Sequence, residues 1–336
     1  MKQLKRISII GDGGWGTTLA IHLARKKYPV VLWGAFADYV AEVKKTRESK
    51  KFLPGYRIPA SVELSSDLHS AIALGDLIIL ASPSEYLTDV LKKIKKTSYR
   101  GKVFLSVVKG IHPVSFKRMS ELIKEELGNV PLAVLSGPTI AGEVAAQLAT
   151  TAVIASSRSD LAKQIQKIVH SDTFRIYTNN DVIGTEVGGS IKNVIAIACG
   201  VCDGLGLGSN AKAALLTRGL AEITRLGVAL GGKRETFYGL TGLGDLVTTC
   251  VSPKSRNRSV GEALGKGASI KSVLGSMSMV AEGVITSKAA YRLSRKMKIP
   301  MPITEQVYKI IFEGKSSRKA MQDLMTRQAK SESSSS

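Results

Sequence analysis

Cysteine, aromatic residues and acids are all scarce in this chain of 336 residues, and each scarcity excludes something. The three cysteines, Cys199, Cys202 and Cys250, are too few and too unevenly placed for a disulfide framework. Cys199 and Cys202 form a lone C-x-x-C without a second pair, and the four histidines (His22, His69, His112, His170) lie far from it in sequence. The pair therefore reads as two small apolar side chains in a packed helix rather than a metal or redox site. Aromatics make up only 5% of the chain, with no stripe on which bases could stack. Long hydrophobic runs are missing as well. VIAIACGVC at 194–202 is about half of the roughly 20 residues that a membrane-spanning helix needs. The N-terminal MKQLKRISII runs from basic clusters into GDGGWG with no signal-peptide core or cleavage site. The expectation is a soluble, cytoplasmic protein with no integral membrane segment.

Acidic residues number 27 against 48 basic ones, a formal charge of +21. The excess is spread evenly: residues 1–183 carry 26 basic and 16 acidic side chains (+10), and residues 184–336 carry 22 and 11 (+11). Only Lys44–Lys51 and Lys92–Lys96 are local runs, on expected helices where a solvated face explains them. Such a diffuse basic field suits small anionic substrates better than nucleic acid, which is not expected as a partner.

The length favours two domains. Short apolar runs rich in β-branched residues and leucine recur in the first half: Ile7–Ile10, Val30–Trp33, Leu77–Ala81, Val103–Val108, Leu132–Leu135, Ala152–Ala155 and Phe174–Tyr177. Helix-like segments alternate with them, among them Thr17–Lys27 and about Asp38 to Lys51. That alternation predicts an α/β domain over 1–183, with a parallel sheet covered on both faces. From about Ile183 strands disappear. Ile191–Cys202, Lys212–Leu230, Ser287–Lys296 and Ile303–Phe312 have helical periodicity, which predicts an all-α domain over 184–330. The serine-rich 331–336 has no apolar residue and is expected to be disordered.

Gly11-Asp12-Gly13-Gly14-Trp15-Gly16 is G-x-G-x-x-G between the first strand and the first helix. Gly11 makes the tight turn, Gly13 admits a pyrophosphate, and Gly16 lets helix and strand pack closely. The helix N-terminus then offers N–H groups and a positive dipole end to phosphates. The second strand ends in Gly34-Ala35-Phe36, with neither the acid that grips ribose hydroxyls nor an arginine for a 2′-phosphate. Asp38 reads as the cap of the next helix. This strand end predicts use of both NADH and NADPH, within about 100-fold of each other in kcat/KM.

Two further strand exits, Lys109-Gly110 and Ser136-Gly137-Pro138-Thr139, open towards the same crevice, where open parallel sheets bind ligands. Lys192-Asn193 sits among small and apolar neighbours. Its ammonium either snorkels at a helix edge or points into a site, where desolvation would lower its pKa towards proton transfer. Asp245, alone in LTGLGDLVTT, either caps a helix or holds a cation or a substrate hydroxyl. Ser255-Arg256-Asn257-Arg258 suits a phosphate or a solvated loop. Glu282 in Val280-Ala281-Glu282-Gly283 reads as the head of a helix.

The ordered set GDGGWGTTLA, VVLWG, KFLPG, VKGI, SGPT, GGSIKNVIAIACG, GLGDLVTTC, SRNR, AEG and MPITE, from about Ile7 to Lys330, resembles the cytosolic bacterial NAD(P)-dependent glycerol-3-phosphate dehydrogenases. The resemblance implies a Rossmann-like N-terminal domain with an α-helical C-terminal one. It also implies reversible reduction of dihydroxyacetone phosphate to sn-glycerol 3-phosphate, which feeds phospholipid synthesis. A homodimer is the assembly expected. By the same resemblance, Lys192 is the proton-transfer residue, aided by Lys109 and Asp245. Lys109, Gly137, Thr139, Lys192, Asn193, Asp245, Thr249, Ser255, Arg256 and Asn257 fall on substrate positions. Gly14, Trp15, Lys109, Ala141, Arg256, Val280 and Glu282 fall on cofactor positions, beside Gly11, Gly13 and Gly16. Ala35 stands where many members have histidine or arginine.

Overall fold

The computed structural model describes residues 4–277, 280–329 and 331–332. Eight strands form one sheet: β1 Ile7–Ile10, β2 Val30–Trp33, β3 Val62–Ser65, β4 Leu77–Leu80, β5 Val103–Ser106, β6 Leu132–Ser136, β7 Thr150–Ala155 and β8 Phe174–Asn179. Their order is β3-β2-β1-β4-β5-β6-β7-β8. Between them run α1 Gly14–Arg25, α2 Ala37–Thr46, α3 Leu68–Leu74, α4 Leu87–Ile94, α5 Met119–Leu127, α6 Ala141–Ala145 and α7 Ser159–Val169.

The central strands are buried on both faces, which is why they read as unbroken apolar runs. Alternate residues face opposite layers. Ile7, Ile9, Val30, Leu32, Leu77 and Ile79 pack in one layer with Leu19 and Leu23 of α1 and with α7. Ile10, Val31, Trp33, Ile78, Leu80 and Phe104 pack in the other with α3, α4 and α5.

Three features differ from the sequence expectation. The edge strand β3 was not foreseen, because VELS alternates buried with exposed positions and carries a charge, as one-sided edge strands do. The sheet is also not wholly parallel: β7 runs antiparallel to β6. The link between them holds only the five-residue α6, about 8 Å of helix, too short to return the chain along the strand. The longer α7 then restores a parallel β7–β8 pair. Asp38 does not cap α2. Phe36 is the N-cap residue and Asp38 lies in the first turn, beside the positive end of the helix dipole.

The remainder is helical: α8 Val182–Gly204, α9 Gly208–Ala229, α10 Arg234–Tyr238, a π-helical turn at Leu240–Gly244, α11 Asp245–Val251, α12 Arg256–Gly265, α13 Ile270–Gly275, α14 Glu282–Lys296, α15 Pro302–Phe312 and α16 Ser317–Met325. Helix α8 is the axis of a separate core with Ile223, Phe237, Leu246, Val260, Ala289 and Ile303. It is long and apolar enough by composition to cross a membrane, yet 89% of that stretch is buried within the protein. Cys199 and Cys202 are buried on it as unpaired thiols. Glycine lets a neighbour approach closely, since a Cβ on Gly200 would lie 2.0 Å from the carbonyl oxygen of Arg258 on α12. The terminal tail falls largely outside the described residues, at 330 and 333–336.

Candidate active site

The glycine loop is built as its residue types require. Gly11 has φ +124°, and a Cβ there would lie 2.7 Å from the Ala81 and Ser82 backbone. A Cβ on Gly16 would sit 1.8 Å from the Gly11 carbonyl oxygen, whereas one on Gly13 meets nothing within 4 Å. Gly13 thus faces open space at the N-terminus of α1, which has no side-chain cap. Its N–H groups have the geometry that a pyrophosphate takes. The cradle fits a dinucleotide. Ala141 adjoins it, because the Thr18 hydroxyl donates to the Ala141 carbonyl at 3.1 Å.

The loop's second residue departs from the sequence reading. The strand end Gly34-Ala35-Phe36 supplies no acid, but the fold brings one there. A Cβ on Gly34 would lie 2.0 Å from Asp12 Oδ2, so the carboxylate occupies that volume.

The exits of β5 and β6 meet helices α8 and α11. Lys192, 6% exposed on α8, donates to Asp245 Oδ1 and, at 2.6 Å, to the Thr249 hydroxyl. Thr249 donates in turn to the Asp245 carbonyl at 2.7 Å. Lys109 donates to Asp245 Oδ2 at 2.7 Å and to the Gly137 carbonyl at 3.0 Å. That carbonyl also accepts from Thr139 at 3.1 Å. Asp245 therefore holds two cations, the second of the alternatives its sequence left open. Lys192 does not snorkel: burial drags its pKa down to about 8, Asp245 opposes the fall and Lys109 adds to it.

A second group lies beside Lys192. Asn193 Oδ1 accepts from Asn257 Nδ2 at 2.9 Å, and Asn257 Oδ1 accepts from the Gly283 N–H at 2.9 Å. Asn257 is thereby a strut joining α8, α12 and the head of α14, with one amide hydrogen already committed. Ser255 caps α12, its oxygen accepting from the Arg258 N–H at 3.3 Å. Arg256 stands exposed at the rim, with Nη1 donating to the Val280 carbonyl at 2.7 Å. Arg258, the last of that cluster, turns away to Asp203 at 2.7 Å.

Glu282 does more than begin α14. Its carboxylate accepts from the Ser84 N–H at 3.0 Å and from the Ser84 hydroxyl, tying the helical part to the exit of β4. Burial pushes its carboxyl up, and Ser84 and Arg256 hold it down. Ser84 was not singled out in the sequence, where SPSEY reads as an ordinary turn. Glu186 was also missed: it anchors α8 by accepting from Arg118 at 2.6 Å and from the Ser120 N–H at 2.7 Å. An acid inside the apolar stretch of α8 was the available signal.

Comparison with known proteins shows the family of the chain. Residues 6–162 match the N-terminal family of NAD-dependent glycerol-3-phosphate dehydrogenases, and residues 181–322 match the C-terminal one. The chain is 47% identical over 329 residues to glycerol-3-phosphate dehydrogenase (NAD(P)+) of Chlorobium limicola, covering 97% of this chain and 99% of that protein. It is 46% identical over 327 residues to the enzyme of the same name from Thermoanaerobacter sp., covering 97% and 98%. The crystal structure of glycerol-3-phosphate dehydrogenase from Coxiella burnetii superposes with a TM-score of 0.94 at 40% identity, covering 97% of this chain and all 100% of that one. The chain belongs to the NAD-dependent glycerol-3-phosphate dehydrogenase family.

Proposed function

We propose that the crevice reduces dihydroxyacetone phosphate to sn-glycerol 3-phosphate with NAD(P)H, reversibly, and so supplies a precursor of phospholipids. The observation that carries the reading is the Lys192–Asp245–Lys109 cluster, in a chain whose glycine cradle fits a dinucleotide. Gly11, Gly13, Gly14, Trp15 and Gly16 hold the pyrophosphate, and Ala141, Lys109, Arg256, Val280 and Glu282 line the rest of the cofactor. The bound nicotinamide supplies the hydride.

Lys192 as ammonium donates its proton to the ketone oxygen as that oxygen becomes an alkoxide, and neutral Lys192 takes the alcohol proton in reverse. Asp245 orients Lys192 and favours its charged form, with Thr249 fixing the same ammonium. Lys109 brings a second positive charge to the developing oxyanion. Arg256 and Ser255, at the head of α12, grip the phosphate, while Gly137 and Thr139 line the same pocket. Asn193 and Asn257 position the lysine-bearing turn of α8.

We read 1–183 as the nucleotide domain and 184–330 as the substrate domain. We place the enzyme in the cytoplasm, where triose phosphate and reduced nicotinamide are both supplied, with a homodimer as the assembly to be checked by its mass in solution. The decisive experiment is spectroscopic. Dihydroxyacetone phosphate added to the protein with NADH or NADPH should discharge the nicotinamide absorbance and yield sn-glycerol 3-phosphate. A basic nucleic-acid-binding protein would instead show no turnover and a steep salt dependence on polyanions.

A further inference from the structure

We infer that Asp12 selects the coenzyme, standing in from the glycine loop for the acid that the second strand lacks and favouring NADH over NADPH. The inference rests on reading the glycine loop as the dinucleotide site.

Nucleotide-binding sheets of this kind seat the pyrophosphate on the first helix and run the adenosine ribose over the end of the second strand. Where NAD is the ligand, an acid at that strand end accepts from the ribose hydroxyls. Here the strand end is Gly34-Ala35-Phe36. The loop and the strand end are joined by a backbone bond from the Gly11 N–H to the Trp33 carbonyl at 3.0 Å. The backbone at Asp12 is held in turn by the Thr17 hydroxyl, which donates to its carbonyl at 3.1 Å. From that fixed backbone the Asp12 side chain reaches across to Gly34. Its Oδ2 and Cγ lie 2.0 and 2.5 Å from where a Cβ of residue 34 would be. The carboxylate thus fills the volume in which a strand-terminal acid would begin, and the glycine at 34 is what admits it.

The surroundings are consistent with a ribose acceptor. Asp12 is half-buried, and burial raises its carboxyl while its own backbone N–H lowers it. Burial raises the phenol of Tyr39 on α2, and the negative charges of Asp12 and Glu42 add to the rise. Ala35 adds no cation, and Phe36, 74% exposed, offers a flat apolar face beside it to an adenine ring. A 2′-hydroxyl finds an acceptor there. A 2′-phosphate instead meets the like charge of that carboxylate. Neither the strand end nor the glycine motif read alone shows this, because the two are separated in sequence and brought together by the β1–β2 pairing.

The test uses the full chain without substrate. Nicotinamide fluorescence is titrated to give Kd for NADH and for NADPH, and kcat/KM is then measured with each. The wild type should bind NADH at least about tenfold more tightly, the effect of one hydrogen bond to a charged group. Asp12→Asn, which keeps the volume, should move the Kd ratio at least about tenfold towards NADPH. Asp12→Ala should do the same, guarding against a local effect of the asparagine. A wild type that binds NADPH as tightly as NADH overturns the inference, as does an unchanged ratio in both variants. If neither nucleotide binds, the dinucleotide reading falls and the role of Asp12 with it. Selective NADH binding without turnover of dihydroxyacetone phosphate leaves Asp12 standing and removes the proposed reaction.

Discussion

Lys109 and Lys192 share one carboxylate: each takes a different oxygen of Asp245, Lys109 at 2.7 Å. Two cations within reach of one buried acid leave the group net positive, which suits a site that must stabilise a developing alkoxide. The two lysines come from different halves of the chain, so the cluster exists only when the sheet and the helical core are docked.

Removing the proton donor should abolish turnover more than binding. Lys192→Ala is expected to lose roughly 10²–10⁴-fold in kcat, with a smaller change in KM for dihydroxyacetone phosphate. A variant that retains more than about a tenth of wild-type kcat takes Lys192 out of the general-acid role.

The pH profile should follow the same ammonium. With its pKa at about 8, reduction should decline as pH rises through that value and oxidation should climb. Asp245→Asn removes the chief group holding that pKa up, so the limb should move to lower pH. The stability linkage has the matching sign. Between about 8 and the ordinary 10.5, the unfolded chain binds a proton that folded Lys192 does not. The wild type should therefore gain stability relative to Lys192→Met as pH rises across that window, with the burial penalty fully present below it. Thermal melts of both proteins at several pH values check this, and parallel curves would contradict it.

Arg256 should act on the phosphate. One arm of its fork is fixed on Val280 and the rest is exposed at the rim beside the head of α12. Arg256→Ala is expected to raise KM for dihydroxyacetone phosphate by about tenfold to a hundredfold, and lysine should restore only part. Dihydroxyacetone, lacking the phosphate, should be a very poor substrate of the wild type. Equal efficiency on the two compounds would contradict the assignment.

The two glycines of the cradle should separate folding from binding. Gly16→Ala puts a methyl group 1.8 Å from a backbone oxygen and should lower the melting temperature or prevent folding. Gly13 has φ −65° and open space around a would-be Cβ, so Gly13→Ala should fold normally and lose coenzyme affinity. Melting curves and nucleotide titrations on both variants read this out. Equal nucleotide affinity in Gly13→Ala would show that the cradle does not face the pyrophosphate.

Much of the nucleotide half was legible because buried parallel strands must be apolar along their whole length. Ile7–Ile10 and Val30–Trp33 were therefore readable to the residue. The edge strand Val62–Ser65 and the reversal at β7 were not. One is half solvated, and the other depends on how far a five-residue helix reaches.

The sequence by itself determined the glycine cradle, the apolar strands, the helical second half and the residue types at the site. These follow from local steric and burial requirements that residue type alone expresses. Tertiary structure decided which of those residues meet. It joined Asn257 to Asn193 and to the head of α14 and gave Glu282 to Ser84. It also carried Asp12 across to the end of β2. The reason is physical: hydrogen bonds and charge pairs act over a few ångströms, and only the packed sheet and helices bring residues remote in sequence within that range.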